Sequence, residues 1–357
     1  MRRENKYILR GGLIGAGVFT ALDIFLQFQE HKKNPNLVQN KYNYMRTIKK
    51  GLFGFVVGGA SGYLFHSRLT DKEQQLPFNS NTYLRNVLSN EHIKNDPSLF
   101  QDILKYRTEI KKWLANNFYY ELASLPEDGG SFYKRTAIVS NYDLDIILPF
   151  KKTSFSSLKL MYNSVFDSIE RKFKHRATIS RRTKSVRLKF EDNGNYIYVD
   201  IVPGREVGNY QNDKKLNLYE RPDWFWQNGS SFKIDVEKQK SIVLNLPEAR
   251  KIIKLLKAYR DRNNLSLPTV IIEHAVVNAL SNDQYGTSTS LSENLLNCMD
   301  YIANKIEGGR IVDVGNSNNN LNNSIGDMDR HLISGQINSD LHRIENNPRY
   351  LAEIFEQ

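Results

Sequence analysis

The stretch Asn141-Tyr-Asp-Leu-Asp-Ile-Ile-Leu-Pro149 decides the fold of this chain. Its alternating residues predict a β-strand, and because strand side chains repeat every two residues, Asp143 and Asp145 project from one face. The run Ile-Ile-Leu after Asp145 indicates that the strand is buried in a core. A second predicted strand, Tyr196–Pro203, carries Asp200. The sequence therefore predicts carboxylates on adjacent strands of one sheet.

Carboxylates placed so close together repel one another unless a cation lies between them. Mg²⁺ is the first candidate, and Mn²⁺ the second, because oxygen ligands and substrate phosphates suit these ions. Two such ions about 4 Å apart are a standard apparatus for phosphoryl and nucleotidyl transfer. We therefore expect Asp143, Asp145 and Asp200 to be both metal ligands and catalytic residues.

A glycine-rich segment stands just before the first strand. Gly129, Gly130 and Ser131 come 12 to 14 residues before Asp143, and Lys134 follows them. Glycines let a backbone approach a phosphate closely, and exposed N–H groups with a hydroxyl can hold its oxygens. Taken alone, such a segment is an ordinary loop. Gly-Gly-Ser, then Asp-x-Asp, then a strand Asp, in this order, is a much more specific pattern.

This pattern, Gly130-Ser131, Asp143-x-Asp145 and Val199-Asp200-Ile-Val-Pro203, resembles the DNA polymerase β-like nucleotidyltransferase superfamily. More narrowly, it resembles the cyclic GMP-AMP synthase and oligoadenylate synthetase-like enzymes and their bacterial relatives, the CD-NTases. Three later segments are similar to family segments: Glu248–Arg260 with its Leu-Leu-Lys core, Leu267–Glu273 with Pro-Thr-x-x-x-Glu, and Val312–Leu321. The chain departs from the family where a Trp often follows the Leu-Leu-Lys core, since Ala258 and Tyr259 stand there.

The resemblance implies roles for individual residues. Asp143 and Asp145 would hold two Mg²⁺ or Mn²⁺ ions with the donor triphosphate, and Asp200 would bind the ion next to the attacking hydroxyl and lower its pKa. Ser131, with the backbone of Gly129 and Gly130, would hold the β- and γ-phosphates.

Two lysines on the helix after residue 247 compete for one further role. The resemblance places Lys257 toward the triphosphate or the base. Lys254 lies about one turn earlier on much the same face of the helix and is the competing candidate. A solvated helix face is the alternative for both.

The resemblance also implies a function. We expect a template-independent nucleotidyltransferase that makes cyclic or short linear oligonucleotide second messengers from NTPs, in bacterial anti-phage signalling with an oligonucleotide-activated effector downstream. No stable nucleic-acid partner is required. The alternatives are transfer of a single nucleotide to a protein, small molecule or RNA end, a nucleotide-binding domain without catalysis, and a membrane effector gated by such a domain.

Composition separates the N-terminal segment from the rest. Residues 1–70 hold eleven Lys/Arg against three Asp/Glu, a net +8 of the total +11. Most of this charge flanks two apolar stretches, which favours anionic lipid over nucleic acid as its partner. The single cysteine, Cys298, excludes an intramolecular disulfide.

The apolar stretches are Gly11–Phe28, with 18 residues and one charge, and Gly51–Phe65, with 15 residues and none. Both are short for spanning helices, which need about 20 residues. Their Gly-x-x-x-Gly spacings allow close helix packing and a homo-oligomer. We interpret them as two inner-membrane helices joined by the basic linker 31–50, with a cytoplasmic catalytic domain. A shallow hairpin and a pair of buried soluble helices are the alternatives.

The predicted fold is α+β: a polymerase β-like nucleotidyltransferase sheet and a helical lobe, preceded by the N-terminal pair of membrane helices. The predicted boundaries are 1–70 for the membrane helices, 71–80 for a linker, 81–205 for the catalytic core and 206–357 for the helical lobe.

Within these domains, the patterns predict helical structure over 81–122, with a helix start at Asp96-Pro97-Ser98, a helix over 154–174, and a strand pair or one long strand over 177–190. Residues 206–240 are predicted to be rich in loops, and the Asn-rich run 316–323 to cap the helix that follows it. On the strand at 186–190, Arg187 and Lys189 share a face that would be solvated or would meet nucleotide phosphates.

Overall fold

The computed structural model describes residues 78–192, 194–222, 229–282, 285, 287–313 and 316–356. Asn79–Ile344 and Pro348–Gln357 form one compact unit. The predicted membrane helices, their linker, and the aromatic residues 224–226, expected to pack against the helical lobe, lie outside the described residues. Within the described ranges, no helix is both long enough and apolar enough to cross a bilayer.

A mixed sheet forms the centre of this unit, in the order β1-β2-β5-β4-β3, with β6 pairing the far end of β5 and β7 pairing β6. Only β2 and β5 run parallel; the other pairs are antiparallel. The strands are β1 Glu127–Asp128, β2 Leu144–Phe150, β3 Ala177–Arg181, β4 Val186–Asp192, β5 Asn195–Glu206, β6 Lys215–Glu220 and β7 Ser230–Asp235, with a separate pair β8 Val312–Asp313 and β9 Asn316–Asn320.

Helices precede the sheet, cross it between strands, and make up the C-terminal half of the unit. In chain order they are α1 Ser80–Asn90, α2 Pro97–Asn117, α3 Gly130–Tyr133, α4 Leu158–Phe173, α5 Tyr210–Asp213, α6 Val236–Ser241, α7 Pro247–Arg262, α8 Thr269–Leu280, α9 Leu291–Gly308, α10 Asp327–Asn346 and α11 Tyr350–Glu353. The sheet and the helical lobe confirm the α+β prediction for the described part of the chain.

The alternation of the strands builds the main core. Val186, Leu188 and Phe190 of β4 face the same way as Val199 and Ile201 of β5, and all five are buried against α2 and α4. Burial of each such side chain contributes about 1.5–3 kcal/mol relative to exposure. Since neighbouring strand residues point to opposite faces, the polar residues between them are presented to the other face of the sheet.

The helix predictions agree with the structure, except that the helical segment predicted to reach 122 ends at Asn117. The predicted helix start at Asp96-Pro97-Ser98 is confirmed, because Asp96 has an extended backbone and its side chain accepts the N–H of Leu99 at the start of α2. Pro97 at the first helical position fits the same boundary. The predicted helix over 154–174 is α4, and the segment 177–190 is the antiparallel pair β3–β4, which confirms both predictions.

The sheet extends further than the sequence predicted. Residues 206–240 contain the hairpin β6–β7 in addition to loops, with Leu216 opposite Ile234. Leu216, Leu218 and Ile234 pack against Ile147 of β2 in a second, smaller core. The loop prediction was therefore incomplete, because a period-two apolar pattern this short is easily missed. The predicted boundary at 205 falls within β5.

The Asn-rich run caps helical segments on both sides. Asn320 accepts the N–H of Asn322 at 3.2 Å and caps the 3-10 helix Leu321–Ser324 that follows, whereas Asn322 caps the helix before it. Asn322 is fully buried, and its Nδ2 donates to the carbonyl oxygens of Lys305, Ile306 and Gly309 at 2.7, 3.0 and 3.2 Å. Its Oδ1 accepts the N–H of Ile311 at 3.3 Å. The last turn of a helix leaves its carbonyls without helical partners, and this one side chain pairs two of them, those of Lys305 and Ile306, at the end of α9.

Candidate active site

The parallel pairing of β2 with β5 brings the predicted acids together. Asp145 lies directly opposite Asp200 in the register of the two strands, and Asp143 comes just before β2. Asp145 and Asp200 therefore stand side by side on two hydrogen-bonded strands, which only this register achieves. The structure brings together all three residues that the sequence singled out.

An arginine bridges two of these acids. Arg187 of β4 stands opposite Asp200, and its Nε and Nη2 donate to the two oxygens of Asp200 at 2.9 and 2.6 Å. Nη2 also donates to Oδ2 of Asp143 at 2.8 Å. Sequence analysis left Arg187 either solvated or on a nucleotide phosphate, whereas the structure places its guanidinium on the acids. Only the register of β4 against β5 could have indicated this.

The electrostatics of the acids follow from burial and from one another's charge. Burial raises the pKa of Asp145 to about 7, with the charges of Asp200 and Asp143 acting in the same direction. Burial also raises the pKa of Asp143, although the neighbouring Arg187 guanidinium opposes the shift. Hydrogen bonding to Asp200 raises the pKa of Arg187 above its usual range, so this residue stays charged. Carboxylates whose pKa values are raised in this way are stabilised in their charged form by a cation beside them.

The glycine turn packs directly on Asp145. The N–H of Gly129 donates to the backbone oxygen of Asp145 at 2.9 Å, and Gly130 begins α3 with φ of 55°. A Cβ at Gly130 would lie 1.6 Å from Oδ2 of Asp145. Glycine is therefore required here for two reasons: the backbone is left-handed, and the carboxylate of Asp145 leaves no room for a Cβ. Ser131 follows on the cavity side of this turn.

The two competing lysines of α7 are placed differently. Lys257 is buried and lines the cavity beside the acids, where its Nζ donates to the backbone oxygen of Thr136 at 3.0 Å. Burial lowers the pKa of Lys257 to about 8. Lys254 is not among the described residues that line the cavity; burial and the nearby Arg250 lower its pKa. The geometry thus favours Lys257 for a role at the site.

Further charged residues of the site were not singled out as functional by sequence. Lys134, at the end of the glycine turn, pairs with Glu273 of α8 at 2.5 Å, and both are largely buried. Glu273 is the acid of the Pro-Thr-x-x-x-Glu segment, so this pair joins the turn to the helical lobe. His274, next to it, has Nδ1 3.8 Å from Oδ1 of Asp313. In the sequence, Glu273 and Asp313 were marked only by their positions in family-like segments, and nothing indicated which side chains they would contact.

These elements surround one cavity of about 1090 Å³. The catalytic-sheet side contributes the glycine turn, Asp143 and Asp145, and the helical side contributes Lys257, Glu273 and His274. A third wall, from β4 to α6, carries the lysines of a basic rim: Lys184, Lys215, Lys233, Lys238 and Lys240. Asp200 is not among the described lining residues, but lies next to Asp145 at the edge of the cavity.

The donor set is chemically suited to hard divalent ions, since it consists of three neighbouring carboxylates, and burial together with the charges of the other two raises the pKa of Asp145. Among the described residues, however, no group of three or more His, Cys, Asp or Glu side chains is placed to hold a metal ion. Two of the three acids are instead bonded to the side chain of Arg187. The metal-ligand role of the three acids stays a prediction.

The departure at Tyr259 also has a structural explanation. Tyr259 is fully buried, and its hydroxyl donates to Oδ2 of the buried Asp340 at 2.6 Å. Burial raises the pKa of the Tyr259 phenol above its usual range. This ring belongs to the core of the helical lobe and is not placed to stack on a base in the cavity.

The described part of the chain thus combines a sheet whose parallel strand pair carries the acids, a glycine-serine turn before it, and a helical lobe across the cavity. Comparison with solved structures shows that this is the CD-NTase fold, as the sequence resemblance predicted. No protein-family model matches the chain, and neither does any curated protein.

The similar structures align over most of the described chain. CdnC from E. coli MS115-1, solved with ATP, has a TM-score of 0.59 at 16% identity, covering 78% of this chain and 98% of its own. The Elizabethkingia meningoseptica cyclic dinucleotide synthase CdnE, solved with GTP and Apcpp, has a TM-score of 0.53 at 14% identity, covering 73% and 97%. The Vibrio cholerae cyclic AMP-GMP synthase DncV, in complex with nonhydrolyzable GTP, has 0.53 at 14%, covering 82% and 83%. At identities this low, the TM-scores show that these proteins share a fold with the described chain.

Proposed function

We propose that this protein is a template-independent nucleotidyltransferase that joins NTPs into cyclic or short linear oligonucleotides. The observation that carries the proposal is the pairing of Asp200 with Asp145, which lines a cavity of about 1090 Å³ together with the glycine-serine turn. Acids, phosphate-binding turn and cavity are the parts that nucleotidyl transfer requires, and they meet at one place.

In this proposal, each group of site residues has its own role in the reaction. The backbone N–H groups of the Gly129–Gly130 turn and the hydroxyl of Ser131 bind the β- and γ-phosphates of the donor. Lys257 adds positive charge from the helical lobe. Asp143, Asp145 and Asp200 would hold two Mg²⁺ or Mn²⁺ ions, which neutralise the triphosphate and lower the pKa of the attacking hydroxyl.

Three features support transfer between nucleotides. The cavity, at about 1090 Å³, lies just above the usual 300–1,000 Å³ of a site for one small ligand, so a donor and an acceptor nucleotide fit the space. The basic rim of lysines along β4 to α6 suits a second triphosphate. The similar structures include one named as a cyclic dinucleotide synthase and one named as a cyclic AMP-GMP synthase.

The same proposal includes the biological setting of the protein. A role in bacterial anti-phage signalling, an oligonucleotide-activated effector downstream, and attachment of the catalytic unit to the inner membrane through residues 1–70 are supported by the sequence patterns alone. Fractionation of the full chain and of a chain lacking residues 1–70 tests the attachment: the full chain should sediment with membranes and the shortened one should not.

The function is tested by incubating the purified full chain with labelled ATP, GTP, CTP and UTP and with Mg²⁺ or Mn²⁺. Products are resolved by chromatography after phosphatase treatment, with Asp143→Ala as the control. We expect phosphatase-resistant rings or short linear chains from the parent and none from the variant. Label attached to a protein or RNA would favour single-nucleotide transfer. A parent indistinguishable from Asp143→Ala under all conditions would favour a nucleotide-binding module without catalysis.

A further inference from the structure

One nitrogen atom lies between two of the acids. Nη2 of Arg187 is 2.8 Å from Oδ2 of Asp143 and 2.6 Å from Oδ2 of Asp200. A single positively charged donor is thus shared by carboxylates from two different segments, while Nε of the same guanidinium completes a bidentate pair with Asp200. Bidentate arginine–carboxylate pairs are among the strongest hydrogen-bonded contacts in proteins.

The position of Nη2 is the position that a bridging divalent ion would need. Mg²⁺ binds carboxylate oxygens at about 2.0–2.1 Å, so an ion between Oδ2 of Asp143 and Oδ2 of Asp200 would need the space that Nη2 fills. The arginine and the ion are therefore mutually exclusive at this point. The bonded side chains are only partly open to solvent, with exposures of 18% for Arg187, 37% for Asp143 and 11% for Asp200.

An aromatic ring lies beside the guanidinium on the same face of the sheet. While bonded to the acids, its central carbon is already 5.4 Å from the centroid of the Tyr198 ring, two residues before Asp200 on β5. A cation over an aromatic face gains about 0.5–2 kcal/mol, so this ring offers Arg187 a favourable contact when its bonds to the acids break. The neighbouring Lys189 already uses this face, with its Nζ 3.6 Å from the Tyr196 ring centroid.

We propose that Arg187 is a built-in counter-ion, which closes the Asp143–Asp200 pair in the metal-free protein and moves off Asp143 when a divalent ion binds. The arginine stabilises the acids before substrate arrives and makes metal loading a competition, so that the ion and nucleotide together displace it more readily than the ion alone. The inference rests on the proposed function only in assigning the ion to these acids.

Mn²⁺ binding to the nucleotide-free full chain tests the inference, with free Mn²⁺ measured by its paramagnetic resonance signal. Arg187→Gln should bind Mn²⁺ about tenfold more tightly than the parent, because a competing charge is removed from between the ligands. Lys189→Gln is the matched control, since it removes one cation from the same strand and face without touching the acids, and it should bind as the parent does. Equal or weaker binding by Arg187→Gln would overturn the proposal and make Arg187 a residue that only positions Asp200.

A second measurement uses the unaltered chain, so it does not depend on the folding of a variant. Phenylglyoxal labels free guanidinium groups, and mass spectrometry reports the labelling of Arg187 separately. Saturating Mn²⁺ should increase labelling of Arg187 at least about twofold and leave labelling of Arg176, which is paired with the distant Glu109, unchanged. Labelling of Arg187 that is unchanged or reduced by Mn²⁺ would contradict displacement. A parent that makes oligonucleotides but fails both tests would refute this inference alone.

Discussion

Replacing Asp145 by asparagine should stabilise the metal-free protein above neutral pH while removing its activity. The side chain is held beside Asp200 on the neighbouring strand, and burial with two nearby negative charges raises its pKa to about 7. Asparagine has the same shape, so it keeps the contact with Gly130 without carrying the charge. The carboxylate that the proposed reaction needs is thus one that lowers the free energy of unfolding of the metal-free protein.

The magnitude follows from the pKa. Because the folded-state pKa is raised from 3.8 to about 7, the folded chain binds more protons than the unfolded chain between these pH values, and stability is lost as pH rises through that window. The full shift corresponds to an upper limit of about 4 kcal/mol above pH 7. Relaxation of the folded chain around the charged carboxylate reduces this, so we expect about 2 kcal/mol, or roughly 4 °C in melting temperature.

The assay is thermal unfolding in EDTA at pH 4, 6 and 8 for the parent, Asp145→Asn and the exposed control Asp167→Asn. The advantage of Asp145→Asn should be largest at pH 8 and should nearly vanish at pH 4. Asp167→Asn should stay within about 0.5 kcal/mol of the parent throughout. An Asp145→Asn protein that is no more stable than the parent at pH 8 would refute the reasoning about charge repulsion.

Three further predictions concern the turn, the helix cap and the buried lysine. Gly130→Ala should lose about 2–4 kcal/mol in urea unfolding, since its Cβ meets Asp145, whereas Gly194→Ala, which also has a positive φ but faces open space, should lose only about 1 kcal/mol. Asn322→Ala should lose about 2–4 kcal/mol by the same measure, because it leaves the end of a helix unpaired. Because the pKa of Lys257 is lowered to about 8, KM for ATP should rise above that pH; Lys257→Arg should remove this alkaline rise, and an unchanged profile would contradict the role.

Sequence could predict which acids matter because strand periodicity and order along the chain are local properties. Asp143 and Asp145 share a face by alternation alone, and the glycine turn stands at a fixed distance before them. The placement of Asp200 beside Asp145 needed the parallel register of β2 and β5, which the family resemblance implied and the residues alone did not.

The remaining features depend on long-range packing. Arg187 looked like any basic residue on a polar strand face, and only the β4–β5 register places it against Asp200. Lys254 and Lys257 lie three residues apart on one helix, so spacing could not separate them, whereas burial against Thr136 does. Asn322 sits in a run of similar residues, and nothing local distinguishes the one whose amide reaches back to α9.

The central claim is that the carboxylates of Asp143, Asp145 and Asp200 carry a nucleotidyl-transfer reaction, and release of pyrophosphate from NTPs measures that reaction most directly. The purified full chain, Asp200→Asn and the control Asp167→Asn are compared with all four NTPs and Mn²⁺. We expect release from the parent and the control, and a rate lower by at least about a thousandfold for Asp200→Asn. Equal release from the parent and Asp200→Asn would contradict the claim.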